Sequence, residues 1–393
     1  MYKEFIGYYE PTKEELEQSW NEAVLVLDAN TLLNLYRYSE STKKVFLSVL
    51  ESQRNRLYIP YQVAYEFHKN RRSVIETTRR AYEELNSDIN TYFNKHLIAQ
   101  INRFERHPTI NISRIKKYYE EFMDKVKADL SEQEKKHPDF SGNDELLMKI
   151  TELFSERIGD APSEEQLLQL YKRGEERYKK LIPPGYKDAE TKKKDGERAM
   201  YGDWLIWSDL IAQSKKTKNM FILITDDLKE DWWRKESGKT VSCRPELIKE
   251  FYDETKTRLL LYSADQFLRL AKDRNLIQEI SEDTIAEMET LRETDVVDLI
   301  NAQVVTDNEG GSKKDNRNTV LNKIKLIKIL LNIEYKNKGP FTDEEMAMLI
   351  EQAETGNLSE ANLSALYHIM VRTYKNFSNK EINNMKKDFL PTT

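Results

Sequence analysis

The sequence AVLVLD at residues 23–28 decides the fold class. Five apolar residues that favour β structure are followed by a carboxylate, which predicts a short buried strand ending at Asp28. Three further short segments are also mainly apolar, and each ends at a proline or a polar residue. They are 57–59, which ends at Pro60, 221–224, which ends at Thr225-Asp226-Asp227, and 259–262, which ends at Ser263.

Helical segments alternate with these four predicted strands, at about 41–53, from 61 onward, 202–214, 245–254 and 264–272. Alternation of strands and helices predicts an α/β fold with a parallel sheet flanked by helices. Ligands of such sheets bind beyond the carboxyl ends of the strands. Asp28 and the pair Asp226-Asp227 are expected at two of these ends.

The remaining segments predict the domain organisation. A main domain is expected at residues 1–275, with a large helical insertion at about 70–195 because that stretch has few Gly or Pro residues and repeating apolar positions. A helical extension at 276–305 and a polar, Gly-containing linker at 306–320 are expected to follow. Residues 321–393 show helical spacing and predict a small helical C-terminal module.

The composition excludes several classes of protein. The 393 residues are 33% charged, with a net charge of −6, and no apolar run is long enough to span a bilayer. Cys243 is the only cysteine, which excludes an internal disulfide and a cysteine-rich zinc site. We therefore expect a cytoplasmic protein that does not interact with membranes.

Positive charge is concentrated between Lys69 and Lys117. This stretch contains eleven Lys and Arg residues but only five Asp and Glu residues. Two arginine pairs about two helical turns apart in this stretch are candidates for contacts to nucleic-acid phosphates. A second basic patch lies in the loop before residue 202. The candidate nucleic-acid-binding residues are Arg71, Arg72, Arg79, Arg80, Lys192, Lys193 and Lys194. The alternative for the arginines is a solvated helix face with Arg–Glu pairs.

Acidic residues are the candidate catalytic and metal-binding groups. They are Asp28, Glu66, Asp203, Asp226 and Asp227, all expected near one edge of the sheet. Carboxylates gathered in this way repel one another unless a divalent cation compensates them, and oxygen ligands suit Mg²⁺ or Mn²⁺. Such a site activates water for attack on phosphorus. Taken singly, the aspartates also fit helix caps, and Glu66 also fits an ordinary surface position.

Four segments resemble the acidic motifs of PIN-domain nucleases. They are VLDANTLLNLY at 26–36, IPYQVAYEF at 59–67, GDWLIW at 202–207 and ILITDD at 222–227. The stretch TDDLKEDW at 225–232 is similar to a signature of the bacterial PIN-like branch. The resemblance covers about residues 21–272, so it leaves the C-terminal module unexplained.

The resemblance implies a PIN-like parallel sheet and cleavage of phosphodiester bonds that depends on Mg²⁺ or Mn²⁺. RNA is the usual substrate of the family, whose members include toxins, RNA-processing enzymes and antiviral defence effectors, and a DNA nuclease with the same mechanism is the near alternative. Asp28, Glu66, Asp203 and one of Asp226 or Asp227 would hold the metal, with Asn30 and Thr225 as supporting residues.

Two other classes of function remain as alternatives. The segment LDANT at 27–31 weakly resembles the nucleophile motif of haloacid-dehalogenase phosphatases, but the amide of Asn30 cannot protonate a leaving group as a second acid would. A non-catalytic module is the other alternative. The helical spacing of Leu321 to Leu331 also fits a regulatory protein partner or self-association through the C-terminal helices.

Overall fold

The computed structural model describes residues 1–295, apart from residues 141, 228, 237–238, 278–279 and 293. Residues Met1–Met288 form one compact unit, and a second unit begins at Glu289. Within the expected helical extension, residues 282–288 are helical. The linker predicted at 306–320 and the C-terminal module predicted at 321–393 lie outside the described residues.

The described residues contain six strands, and four of them form one parallel sheet. They are β1 (Val24–Leu27), β2 (Leu57–Tyr58), β3 (Phe221–Ile224), β4 (Trp233–Glu236), β5 (Lys239–Cys243) and β6 (Leu259–Tyr262). The sheet order is β2-β1-β3-β6, and Leu27 lies opposite Ile224, which lies opposite Tyr262. The predicted α/β fold with a parallel sheet is confirmed. Because the strands run in one direction, their carboxyl ends meet at one edge.

Helices precede, connect and follow these strands. They are α1 (Lys13–Glu22), α2 (Ala29–Asn34), α3 (Glu40–Ser52), α4 (Tyr61–Tyr92), α5 (Ile98–Asn102), α6 (Ile112–Lys136), α7 (Glu145–Leu153), α8 (Glu164–Lys179), α9 (Ala189–Lys192), α10 (Glu197–Met200), α11 (Gly202–Thr217), α12 (Pro245–Thr255) and α13 (Ala264–Asp273). Local sequence explains several starts. Thr12 with Glu15 and Ser163 with Gln166 form capping boxes, and Pro245 is the first residue of α12.

The core lies between the sheet and the helices on its faces. Strands β1 and β3 are apolar and almost wholly buried, as expected for central strands covered on both sides. Helix α11 is buried over most of its length, and Trp207 packs against Trp232 and Phe251. This packing fixes the first turn of α11 beside the carboxyl edge of the sheet.

The helical insertion predicted at about 70–195 is observed. Helix α4 buries only its first two turns, through residues such as Val63 and Phe67, and then continues as a mostly exposed helix that packs against α6. The second strand is shorter than the predicted 57–59, because Ile59 instead makes an isolated parallel bridge to Ile158 of the insertion.

A two-stranded antiparallel hairpin of β4 and β5 was not predicted. Its sequence mixes charged residues with Trp233 and Thr240 and lacks the continuous apolar run of the central strands. Cys243 at the end of β5 is buried, and this burial raises the pKa of its thiol to about 12. The side chain therefore packs as an apolar group and is not a reactive thiolate.

Candidate active site

Asp28 lies directly after β1, and its carboxylate is held from two sides. One oxygen accepts a hydrogen bond from the Ala29 amide at 2.7 Å and caps α2, and the other accepts one from the Thr225 hydroxyl at 2.7 Å. The Asn30 side chain donates to the same hydroxyl at 3.3 Å. Asp28 can therefore both cap α2 and belong to the candidate site. Thr225 and Asn30 fix the orientation of its carboxylate.

Glu66 reaches the site from the buried start of α4. The Gln62 side chain donates a hydrogen bond to its Oε1 at 2.7 Å. A Cβ atom at position 202 would collide with this same oxygen, so Gly202 is the residue that lets the Glu66 carboxylate approach the start of α11. Burial and the nearby Asp203 carboxylate raise the pKa of Glu66.

Asp203 lies in the first turn of α11, where the helix dipole favours a negative charge. Its carboxylate is 3.1 Å from Lys229 Nζ and 3.7 Å from Lys192 Nζ. Burial by itself would raise the pKa of Asp203, but the two ammonium groups outweigh burial and hold the pKa below its ordinary value. Asp203 is therefore ionised at neutral pH.

The structure separates the neighbouring residues Asp226 and Asp227. Asp227 Oδ2 lies 2.6 Å from Lys229 Nζ and so joins the group that contains Asp203. Asp226 instead accepts hydrogen bonds from the Asn34 side chain at 3.0 Å and from the Ala264 amide at 2.9 Å, which connect it to α2 and α13. Of the two acids, only Asp227 belongs to the acidic cluster that we define as Asp28, Glu66, Asp203 and Asp227.

The structure adds residues that the sequence pattern did not identify. Asp188, from the end of the insertion, lies 2.7 Å from Lys229 Nζ and 3.4 Å from Lys192 Nζ. No spacing rule connects Asp188 with Asp203, because their proximity arises from the path of the insertion. The sequence pattern gave Lys229 no role beyond its place in the TDDLKEDW stretch.

The basic residues predicted to bind nucleic acid fall into three environments. Arg71 is paired with Asp144, and its side chain is only 14% exposed, so it does not belong to an open phosphate-binding surface. Lys192 faces Asp188 and Asp203. The residues that are exposed are Arg72, Arg79, Arg80, Lys193 and Lys194. Arg80 also pairs with Glu76, one turn earlier on α4.

Repulsion within the acidic cluster is visible in Asp28. Burial and the Glu66 carboxylate raise its pKa to about 7, with smaller contributions from Asp227 and Asp203, while the Thr225 hydrogen bond lowers it in part. Like charges held this close in a poorly solvated place disfavour ionisation. A bound cation would relieve this repulsion.

The donor set of the cluster fits Mg²⁺ or Mn²⁺, since every side chain in it offers carboxylate oxygens. Asp28, Glu66, Asp203 and Asp227 are the residues that would hold the ion. Among residues 1–295 with the gaps given above, no group of three or more His, Cys, Asp or Glu side chains is already arranged around a metal position. Two carboxylates of the cluster, those of Asp203 and Asp227, are paired with a lysine ammonium group.

Asp28→Asn is expected to stabilise the metal-free protein by about 1 to 3 kcal/mol at pH 8. The carboxyl group ionises near pH 3.8 in the unfolded chain but near pH 7 in the fold. The contribution of Asp28 to stability therefore falls as the pH rises from about 4 to about 7, and the advantage of Asn grows over the same interval. Urea unfolding in EDTA at pH 5 and pH 8 measures this advantage.

The control for this measurement is Asp195→Asn, which removes one charge from an exposed position. It should change the free energy of unfolding by less than about 0.5 kcal/mol. An Asp28→Asn variant that is no more stable than wild type at pH 8 would show that burial and the neighbouring carboxylates do not disfavour ionised Asp28.

A sequence model of the family described as PIN like domain matches residues 24–247. The chain belongs to the PIN-like domain family. The matched region begins at β1 and ends in α12, so it contains the whole acidic cluster of this PIN-like domain protein. No curated protein and no solved structure matches the chain. Over the described residues, every helix is too short or too polar to cross a bilayer.

Proposed function

We propose that this PIN-like domain protein is a metal-dependent nuclease that hydrolyses phosphodiester bonds, with RNA as its main substrate. PIN-like domains belong to a superfamily of nucleases that generally depend on metal ions. The observation that carries the proposal is the convergence of Asp28, Glu66, Asp203 and Asp227 at the carboxyl edge of the parallel sheet. A toxin or antiviral defence role, which the resemblance implies, stays a prediction.

The proposed mechanism assigns distinct tasks to the residues of the site. The acidic cluster would hold Mg²⁺ or Mn²⁺, which would supply a Lewis acid for the phosphate and would activate water. Thr225 and Asn30 hold the Asp28 carboxylate in place, and Gln62 does the same for Glu66. Because these groups are fixed before substrate binds, the site needs little reorganisation during the reaction.

The test of this proposal is a cleavage assay on tRNA, single-stranded RNA, single-stranded DNA and duplex DNA with Mn²⁺, Mg²⁺ or EDTA. We expect cleavage of RNA with either metal and none in EDTA. Cleavage of DNA alone would support the DNA nuclease alternative, because hydrolysis by water requires no 2′-hydroxyl. Folded protein that cuts no polymer under any condition would contradict the proposal and favour a non-catalytic module.

Asp227→Asn is expected to lower the cleavage rate by about a hundredfold or more, whereas Asp226→Asn should change it by less than about fivefold. The reason is that Asp227 faces the acidic cluster and Asp226 is hydrogen-bonded to Asn34 and Ala264. Asp226→Asn should instead reduce stability by about 1 kcal/mol. Initial cleavage rates and urea unfolding of both variants give the comparison, and equal rate losses would contradict it.

We propose that exposed basic residues on the same side of α4 as Glu66 contact the phosphates of the substrate. At about 100° per residue along α4, Arg80 lies within about 40° of the direction of Glu66, whereas Arg79 lies about 140° away. We therefore expect Arg80→Gln to weaken RNA binding about fivefold at 0.1 M salt and to reduce the salt slope by about 0.7. Arg79→Gln is the matched control, and an equal effect of both would argue against a bound strand on this side of α4.

A further inference from the structure

The Lys229 ammonium group lies among three carboxylates from three different segments. Its Nζ is 2.6 Å from Asp227 Oδ2, 2.7 Å from Asp188 Oδ2 and 3.1 Å from Asp203 Oδ2. All three contacts are ion pairs, and the one to Asp203 is also a hydrogen bond that the ammonium group donates. With a side chain only 19% exposed, Lys229 acts as an internal cation of the site and not as a surface lysine.

The backbone around Lys229 holds the ammonium group in this place. The Lys229 amide donates to Asp227 Oδ1 at 2.9 Å, and the Lys229 carbonyl accepts from the amides of Trp232 and Trp233 at 3.2 and 3.1 Å. Trp232 and Trp233 are both buried in the fold. The position of Lys229 is therefore set by the same turn that presents Asp227.

The two lysines reduce the negative charge that divalent cations would have to compensate at the site. The acidic cluster and Asp188 supply five carboxyl groups, and Lys229 with Lys192 compensates two of them when all are ionised. One Mg²⁺ or Mn²⁺ would leave a single excess negative charge, whereas two would leave an excess positive charge.

Two-metal phosphodiesterases use one cation for the attacking oxygen and one for the leaving oxygen. We propose that Lys229 takes the place of one of these cations, so that the acidic cluster binds a single divalent metal ion. This inference rests on the proposed nuclease function and specifies its metal content. Lys229 is in this sense a positioning residue that holds Asp188, Asp203 and Asp227 together where a second metal would otherwise do so.

The test is the number of Mn²⁺ ions bound per full-length chain, measured by equilibrium dialysis and calorimetry at pH 8. We expect one ion for wild type, one for Lys229→Arg and two for Lys229→Met, because removing the ammonium group frees three carboxylates. Lys187→Met is the matched control and should keep one ion, since the Lys187 ammonium group pairs with Glu230, outside the acidic cluster. Circular dichroism checks the fold of each variant.

Two bound ions in wild type, or one ion in a folded Lys229→Met variant, would overturn the inference. If Lys229→Met does not fold, Lys229→Gln replaces it, and the wild-type number still decides whether a single ion is bound. Wild type that binds one ion but cuts no polymer would contradict the proposed function and leave the metal number correct. Wild type that binds no Mn²⁺ would contradict both.

Discussion

Asp203→Asn is expected to lower metal-dependent cleavage by about a hundredfold to a thousandfold, the largest loss of any single substitution at the site. The Asp203 carboxylate contacts both ammonium groups, those of Lys229 and Lys192. These ammonium groups outweigh burial and hold the pKa of Asp203 below its ordinary value. The amide of Asn has nearly the same shape but carries no charge. The loss therefore reports the charge and not the packing.

Initial cleavage rates at saturating Mn²⁺, compared between wild type and Asp203→Asn, measure this effect. Asp195→Asn is again the control, because it removes one negative charge from an exposed position nearby in sequence. Its rate should stay within about twofold of wild type. An Asp203→Asn variant that is folded and cleaves at more than a tenth of the wild-type rate would remove Asp203 from the proposed site.

Gly202→Ala is expected to reduce cleavage by about thirtyfold to a hundredfold without loss of stability. An added Cβ would meet the Glu66 carboxylate oxygen and push it out of position, and small displacements of a catalytic group have effects of this size. Gly202 is the first residue of α11, where alanine favours the helix. The variant should therefore melt at or above the wild-type temperature while its activity falls.

Gly142→Ala is the matched control, since a Cβ at position 142 meets no atom within 4 Å. Thermal melting and cleavage of both variants separate a local displacement of Glu66 from a general effect of adding a methyl group. If Gly202→Ala cleaves at the wild-type rate, Glu66 is not held against α11 in the working enzyme.

The sheet could be predicted because its signal is local and strong. Residues 23–27 and 221–224 are continuous apolar runs with polar ends, and each forms a buried strand within one residue of its predicted bounds. The β4–β5 hairpin gave no such signal, because its stability comes from pairing between strands and from the burial of Trp233 and Cys243. Ile59 likewise does not belong to β2. It pairs with Ile158, which is about a hundred residues away along the chain and so could not be predicted as its partner.

The sequence predicts which acids form the candidate site, and their role stays a prediction, but it gives no sign that lysines lie among them. Asp28, Glu66, Asp203 and the pair Asp226-Asp227 each follow or begin an element whose position in an α/β fold is known from topology alone. The choice within the pair required side-chain direction, which adjacent residues in a loop do not reveal. Lys192 was assigned to a basic loop, yet the fold turns it toward Asp188 and Asp203.

The sequence by itself determined the parallel sheet, the helical insertion and the edge where the acids gather. These features follow from apolar periodicity and from strand direction, which are encoded over a few neighbouring residues. Only the tertiary structure decided that Asp227 and not Asp226 joins the cluster, and that Lys229 and Asp188 meet there. Those contacts depend on how segments that are distant along the chain pack together in three dimensions. The electrostatic environment of each side chain there is set by neighbours that lie far apart in the sequence.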